Sequence, residues 1–533
     1  MQLIHNARIH TMHAAQPTAS ALLIDHGEIL AVGGDELLDT RAEKINLGGR
    51  VVLPGLTDAH IHLQYYALGL QKIDCETTTL VDCLRRVAER AATIKAGEWV
   101  LGHGWNQNEW RDTPLPSGMG SGWPHASELD AIAPNHPVYL TAKSLHAAWA
   151  NTTALKIAGV TGSTPNPVNG EIQRDGHGQP TGILLESAMD LIEEKIPQPG
   201  PWDVFEAIRA VQPILWKMGL TGVHDFDRRA CFMALQQLHQ RGELKLRVIK
   251  SIPVDDLEHA HGLGLSSGFG DDWLRIGSVK AFMDGALGPR TAAMFQPYLN
   301  EPGNRGMLNM DGEHLFEIAR RAVDAGLSVT VHAIGDRANH EVLDAYEQLR
   351  HYEIERGLPP LRHRIEHVQV LHPDDTARLA QLNVIASMQP IHATSDMFMA
   401  DQFWGECARL AYAWRTQLSQ GARLVFGSDA PVESPDPFLG LFAALTRRRA
   451  DGSPSPAGWI PEEKLTMQEA LEAYTINPAY AGGMESRVGR LASGCLADLI
   501  VLEKDPFNCP VEELLSMHPS ATMLGGEWVW RSV

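Results

Sequence analysis

His60 and His62 stand one residue apart in LPGLTDAHIHL, residues 53–63. Alternate positions of a strand share one face, so both imidazoles can reach one point in space. The chain has 24 histidines, so an isolated His-x-His is more often packing than a ligand pair, and the weight falls on partners elsewhere. Such partners close other apolar or β-branched runs: Lys280 in IGSVKAFMDG, His332 in SVTVHAIGD, His367 in HRIEHVQV and Asp429 in RLVFGSDAPV. Imidazole suits zinc, nickel, iron or manganese, and a carboxylate adds negative charge and a base. Water bound to a divalent ion loses a proton near neutral pH. Asp429 could take that proton and pass it to a leaving group. Lys280 is the odd member, because a dication repels its ammonium. It either forms a salt bridge, with Asp284 as a candidate partner, or carries CO2 as a carbamate that can bridge two metals.

Eight runs of this kind follow one another: LTDAHIHL, TGVHDF (221–226), LRVIKSI (246–252), IGSVKAFMDG (276–285), SVTVHAIGD (328–336), HRIEHVQV (363–370), NVIASMQP (383–390) and RLVFGSDAPV (423–432). Amphipathic candidates such as GEHLFEIARRAVDAG (312–326) and HPDDTARLAQL (372–382) separate the later ones. Eight strands each followed by a helix are the count of an α/β (β/α)8 barrel, whose chemistry collects at the C-terminal strand ends. His224 and His392 close the second and seventh runs and could also face such a site. Regular alternation puts Glu366 on the face opposite His367, which makes it a structural residue.

About 160 residues separate the first run from the second, far more than a βα loop needs. Residues 70–200 therefore read as an inserted substructure over the catalytic face. It has strands of its own (EWVLGHGW, PVYLTAKSLHAAWAN) and a hairpin-like GEIQRDGHGQPTGILLES. Trp105, Trp110 and His146 lie in it, and Trp105 and His146 are candidate substrate contacts. Both ends of the chain are β-rich around Gly turns. Residues 1–54 and 485–533 are expected to form one small β domain, and 55–484 the barrel. No internal repeat or low-complexity tract is visible.

Taken together, PGLTDAHIHL, Lys280, HAIGD, RIEH and GSDAPV resemble the amidohydrolase superfamily. The closing GRLASGCLADLIVLEKDPF resembles its C-terminal strand signature. VKAFMDGALGPRTA, GWNQNEW and GEIQRDGHGQPTGILLES are similar to the branch of amidohydrolase family 3 that contains N-substituted formamide deformylases. The resemblance runs over nearly the whole chain. It implies a distorted TIM barrel with a β-sandwich formed by both termini. It implies one metal on His60, His62 and Asp429, a second on His332 and His367, and a bridging Lys280 if carboxylated. A single-metal centre stays open, with zinc the leading candidate. The implied reaction is hydrolysis of an amide or formamide, with Asp429 as general base and acid. A deaminase or cyclic amide hydrolase is the alternative on the same scaffold. Deaminase-like members carry a Glu shortly after the fifth-strand His, where HAIGD offers Asp336. A non-catalytic binding or assembly module is the rival from another class.

The formal net charge of −20 disfavours nucleic acid and anionic membrane as partners and leaves a small-molecule substrate. Homo-oligomers stay open. RRR at 447–449, the densest basic run, reads as a solvated helix face. The six cysteines lack a CxxC pair and read as small buried residues rather than a disulfide framework. The N-terminus shows no signal-peptide pattern and no stretch is apolar enough to span a membrane, so a cytoplasmic protein is expected.

Overall fold

The computed structural model describes residues 1–107, 110–112, 123–142, 147–168, 170–288 and 290–532. They form two compact units, one of residues 1–67 with 201–533 and one of Leu68–Gly200.

The first unit is built on eight parallel strands: β1 (Leu56–Ile61), β2 (Leu220–Asp225), β3 (Arg247–Pro253), β4 (Leu274–Phe282), β5 (Val329–Ala333), β6 (Arg364–His367), β7 (Ile385–Met388) and β8 (Arg423–Phe426). Each of the eight apolar runs supplies one strand, and neighbours in sequence are neighbours in the sheet. Their near-continuous burial matches a parallel sheet covered on both faces. The sheet is nearly closed. β1 and β8 meet through an Ile61–Ala430 bridge. The Asp429 N–H donates to His60 O at 2.7 Å and the His62 N–H to Ala430 O at 2.9 Å.

Helices return the chain between strands. Gly312–Asp324 is capped by the Asp311 side chain and buries Leu315, Ile318, Ala319, Ala322 and Val323 along one stripe. The segment 372–382 does not form the single helix expected of it. It breaks into a 3-10 turn, Pro373–Asp375, and one helical turn, Arg378–Gln381. Arg378 there is drawn into ion pairs with Asp344, Glu347 and Asp375.

Both termini contribute strands to one six-stranded sheet, in which Val51–Pro54 pairs antiparallel with Leu499–Leu502. A four-stranded sheet is made of Gln2–His5, Ala21–Asp25, Glu28–Gly33 and Glu43–Asn46. Ile4, Leu22 and Ile29 of the smaller sheet share an apolar cluster with Ile9, Val52, Leu499, Val501 and Met523 of the larger.

The basic run 447–449 is not a solvated face. Arg447 is fully buried and donates to the carbonyls of Trp459, Tyr412 and Ala411, while Arg449 donates to those of Thr394 and Ser395. These guanidiniums satisfy carbonyls of the loops at Ala411, Tyr412 and Trp459 and of the helix Pro390–Trp404. All six cysteines are free thiols, and Cys407 and Cys509 are only half-buried. Among the described residues no helix is long and apolar enough to cross a membrane.

The second unit has its own six-stranded sheet, with strands Val100–Trp105 and Val138–Ala142 parallel and a hairpin of Gly170–Arg174 with Pro180–Glu186. Trp105 is fully buried in its core beside Trp110, Trp123 and Trp149, and its indole N–H donates to Leu140 O at 2.8 Å. That placement gives Trp105 a packing role, since its polar atom is already partnered. His146 lies outside the described residues.

Candidate metal centre

β1 ends in Asp58, Ala59, His60 and Ile61, all buried. His60 donates from Nδ1 to Glu366 Oε2 at 2.5 Å, which leaves Nε2 3.4 Å from Asp429 Oδ1. His62 repeats the arrangement. Its Nδ1 donates to Asp227 Oδ1 at 3.1 Å, and its Nε2 is 3.4 Å from the same Asp429 oxygen. In each ring one nitrogen is fixed from behind and the other is offered to the centre, as in the carboxylate–histidine pairs of metal sites.

Asp429 follows β8 with φ 60, the left-handed region that side chains rarely adopt. Asp58 holds this turn. Its Oδ1 accepts from the N–H groups of His60 (3.0 Å) and Ser428 (3.1 Å), and its Oδ2 from the Ser428 hydroxyl (2.5 Å). Burial opposes ionisation of Asp429, but the imidazoles of His60, His62, His367 and His392 outweigh it and hold the carboxyl well below its usual range. The strained turn thus places an ionised carboxylate among histidines, a pattern common at functional sites.

His367 ends β6 with φ 76, and Val368 follows with φ 44. The left-handed backbone breaks strand alternation, and Glu366 and His367 both lie beside His60. The His367 ring centre lies 5.0 Å from that of His60 and 4.5 Å from that of His332. Gln389 Oε1 accepts from His367 Nδ1 at 2.9 Å. His332, at the end of β5, donates from Nε2 to Gly285 O at 2.9 Å. Burial lowers both His60 and His332 to about 4, and the charge of Lys280 adds to the effect.

Lys280, on β4, is buried and its Nζ has no hydrogen-bond partner. It sits 4.7 Å from the Phe226 ring centre and 5.0 Å from that of Phe282. Burial lowers its ammonium to about 8. Asp284, the candidate salt-bridge partner, is taken by the backbone N–H groups of Ala293, Ile334 and Gly335.

Several members carried no local signal in the sequence. Glu366 is one: it orients His60 and pairs with Arg364 at 2.9 Å. Arg364 in turn donates to His224 Nδ1 at 2.8 Å, so His224 supports the site from within the barrel. Behind His62, Asp227 and Asp225 are joined by Lys250, whose Nζ is 3.0 Å from Asp225 Oδ2 and also donates to Asp227 O. Asp225, Asp227 and Cys231 lie close enough to hold an ion, but the Lys250 ammonium already supplies their positive charge. Asp336 is occupied elsewhere, accepting from the N–H groups of Phe295 and Arg337.

The donor atoms of His60, His367 and Asp429 lie within 4.8 Å of one another. Two imidazoles and an ionised carboxylate fit a divalent cation, and the unpartnered Lys280 Nζ beside them calls for a further acidic partner.

Residues 43–530 match the profile of the Amidohydrolase family. The chain is 32% identical over 547 residues to Protein LONG AFTER FAR-RED 3 of Arabidopsis thaliana, covering 99% of this chain and 91% of that protein. It is 30% identical over 564 residues to the N-substituted formamide deformylase of Arthrobacter pascens, covering 98% of this chain and 97% of that one. Among solved structures, an uncharacterized metal-dependent hydrolase of Pyrococcus horikoshii superposes with a TM-score of 0.78 at 28% identity, covering 96% of this chain and 99% of that one.

Proposed function

Because the chain belongs to the amidohydrolase family, we propose that it is a metal-dependent hydrolase of a non-peptide carbon–nitrogen bond, with N-substituted formamides as the first substrate class to test. The observation that carries this reading is the convergence of His60, His367 and Asp429 donor atoms within 4.8 Å at strand ends of the barrel. His60, His62, His332, His367 and Asp429 are the residues that would hold metal, zinc being favoured by the imidazole-rich set. Lys280, lowered to about 8 by burial, gives up its proton more readily than an ordinary lysine, as carbamate formation needs, and would join them once carboxylated. When bound, the ion supplies an acidified water and polarises a carbonyl oxygen.

The protein's own part is positioning and proton transfer. Glu366 and Asp227 fix the ring orientation of His60 and His62. Asp429, kept ionised, takes a proton from the attacking water and returns it to the departing amine nitrogen. The products are a carboxylic acid, formic acid for a formamide, and a free amine. The deaminase alternative is disfavoured because Asp336, which follows the fifth-strand histidine, is committed to backbone N–H groups.

The test is a panel of N-alkyl and N-aryl formamides with formate and amine release followed together, and elemental analysis of the purified protein. Asp429→Asn is expected to lose ~10²–10⁴-fold in turnover, and His60→Ala to lose bound metal as well. Full turnover and metal content in both variants would overturn the proposal.

A further inference from the structure

His392 is the third residue of the helix Pro390–Trp404, which follows β7 directly, with Pro390 in its first turn. The sequence places this histidine only near a strand end. In the structure it is buried, and its ring stacks parallel to that of His367, 5° apart in plane with centres 6.1 Å apart. Its Nε2 points at the centre and lies 3.9 Å from Asp429 Oδ2, too far for a hydrogen bond. Neither ring nitrogen of His392 has a partner.

That sets it apart from the imidazoles around it. His60 is held by Glu366, His62 by Asp227, His332 by the Gly285 carbonyl and His367 by Gln389. Each of those rings has one nitrogen committed, as a metal ligand's support requires. His392 has no such support, and it stands outside the trio whose donor atoms close to within 4.8 Å. A buried side chain with free polar atoms calls for a partner that arrives from outside the protein. The Asp429 carboxylate 3.9 Å away favours the ring's proton on Nε2, so the partner that fits is an acceptor beside Asp429 at hydrogen-bond distance from Nε2, off the line joining the two.

Resting on the hydrolase reading, we propose that His392 is a catalytic residue whose Nε2–H donates a hydrogen bond to the carbonyl oxygen of the scissile amide. As the water oxygen bonds to the carbonyl carbon, the carbon–oxygen π pair moves onto that oxygen, and the His392 N–H stabilises the negative charge. When the pair returns, the carbon–nitrogen bond breaks and the amine leaves with the proton carried by Asp429. His392 keeps its own proton throughout and gives only the hydrogen bond. Its helix is anchored by Tyr412, whose hydroxyl donates to Asp396 Oδ2 at 2.6 Å one turn beyond, so the ring is presented from a fixed element.

The experiment uses the metal-loaded full-length protein with His392→Ala and His392→Gln. Metal per chain is measured by elemental analysis, formate affinity by calorimetry, and kcat and KM on the formamide panel. We expect unchanged metal content, formate binding weakened ~10-fold in His392→Ala, and kcat/KM lowered ~100-fold, mainly through kcat. His392→Gln, which keeps an N–H donor, should recover part of both. Loss of metal in His392→Ala would make the residue a ligand and overturn the assignment, as would formate affinity and kcat that match the wild type. A wild-type protein that turns over no formamide fails the substrate reading instead. The formate arm then decides His392 alone: weakened binding supports it as the oxygen's donor, and unchanged binding overturns it.

Discussion

Glu366 decides which nitrogen of His60 faces the centre. A carboxylate buried this deeply is penalised by desolvation, but Arg364 and His60 outweigh the penalty and hold it far below the ordinary range. Arg364 is itself fixed by His224, by Ala59 O and by the Ser387 hydroxyl, each at 2.8 Å. Glu366→Gln keeps an acceptor for His60 Nδ1 but removes the charge and leaves Arg364 without its counter-ion. Metal affinity, read by chelator competition, is expected to fall ~10–100-fold, with the fold intact by circular dichroism. Affinity equal to the wild type would show that the acceptor alone supports His60 and that the charge of Glu366 is not needed. This residue also marks a limit of sequence reading. Period-two alternation puts Glu366 and His367 on opposite faces, and only the left-handed φ of 76 at His367 brings both to one place.

At the level of elements, the site depends on how closely β8 approaches β1. A Cβ added at Gly427 would lie 2.4 Å from His60 N and 2.7 Å from Asp58 Oδ1, so this glycine is required by contact. Gly427→Ala must push the strands apart just where Asp429 and His60 are set against each other. We expect a loss of ~2–4 kcal/mol in unfolding free energy and a drop in bound metal, measured by thermal denaturation and elemental analysis on one preparation. A stable variant with full metal content would mean that the closure can relax without moving the ligands. The strands themselves were legible because buried parallel strands are unbroken β-branched runs, and His60 with His62 because alternation is local. The supporting groups were not. Asp58 meets Ser428, 370 positions away, and His62 meets Asp227 across 165, so no local pattern could pair them. The segment 372–382 had a helical pattern, yet its Arg378 serves tertiary ion pairs and the helix is cut short. The 447–449 run misled for a similar reason, because burial of an arginine depends on carbonyls supplied by distant loops.

Over the whole molecule, every candidate ligand belongs to the unit formed by residues 1–67 and 201–533, and none to Leu68–Gly200. The latter unit carries a separate sheet and its own apolar clusters, one around Trp105, Trp149 and Val138, the other around Tyr139, Leu155 and Leu184. Ligand binding stabilises the states that contain the site, by ~4 kcal/mol at a thousandfold excess over Kd. Openings that break the site should therefore become much more frequent when metal is removed, while openings confined to the other sheet should not. Hydrogen exchange read by mass spectrometry, before and after chelation, separates the two cases. Peptides spanning 56–63, 329–335, 364–370 and 423–431 are expected to exchange up to ~1000-fold faster after chelation. Peptides spanning 100–105, 138–142 and 180–186 should keep their rates. Equal acceleration in both sets would show that the metal stabilises the chain as one cooperative body, and acceleration in neither would place the metal away from the strand ends of the barrel.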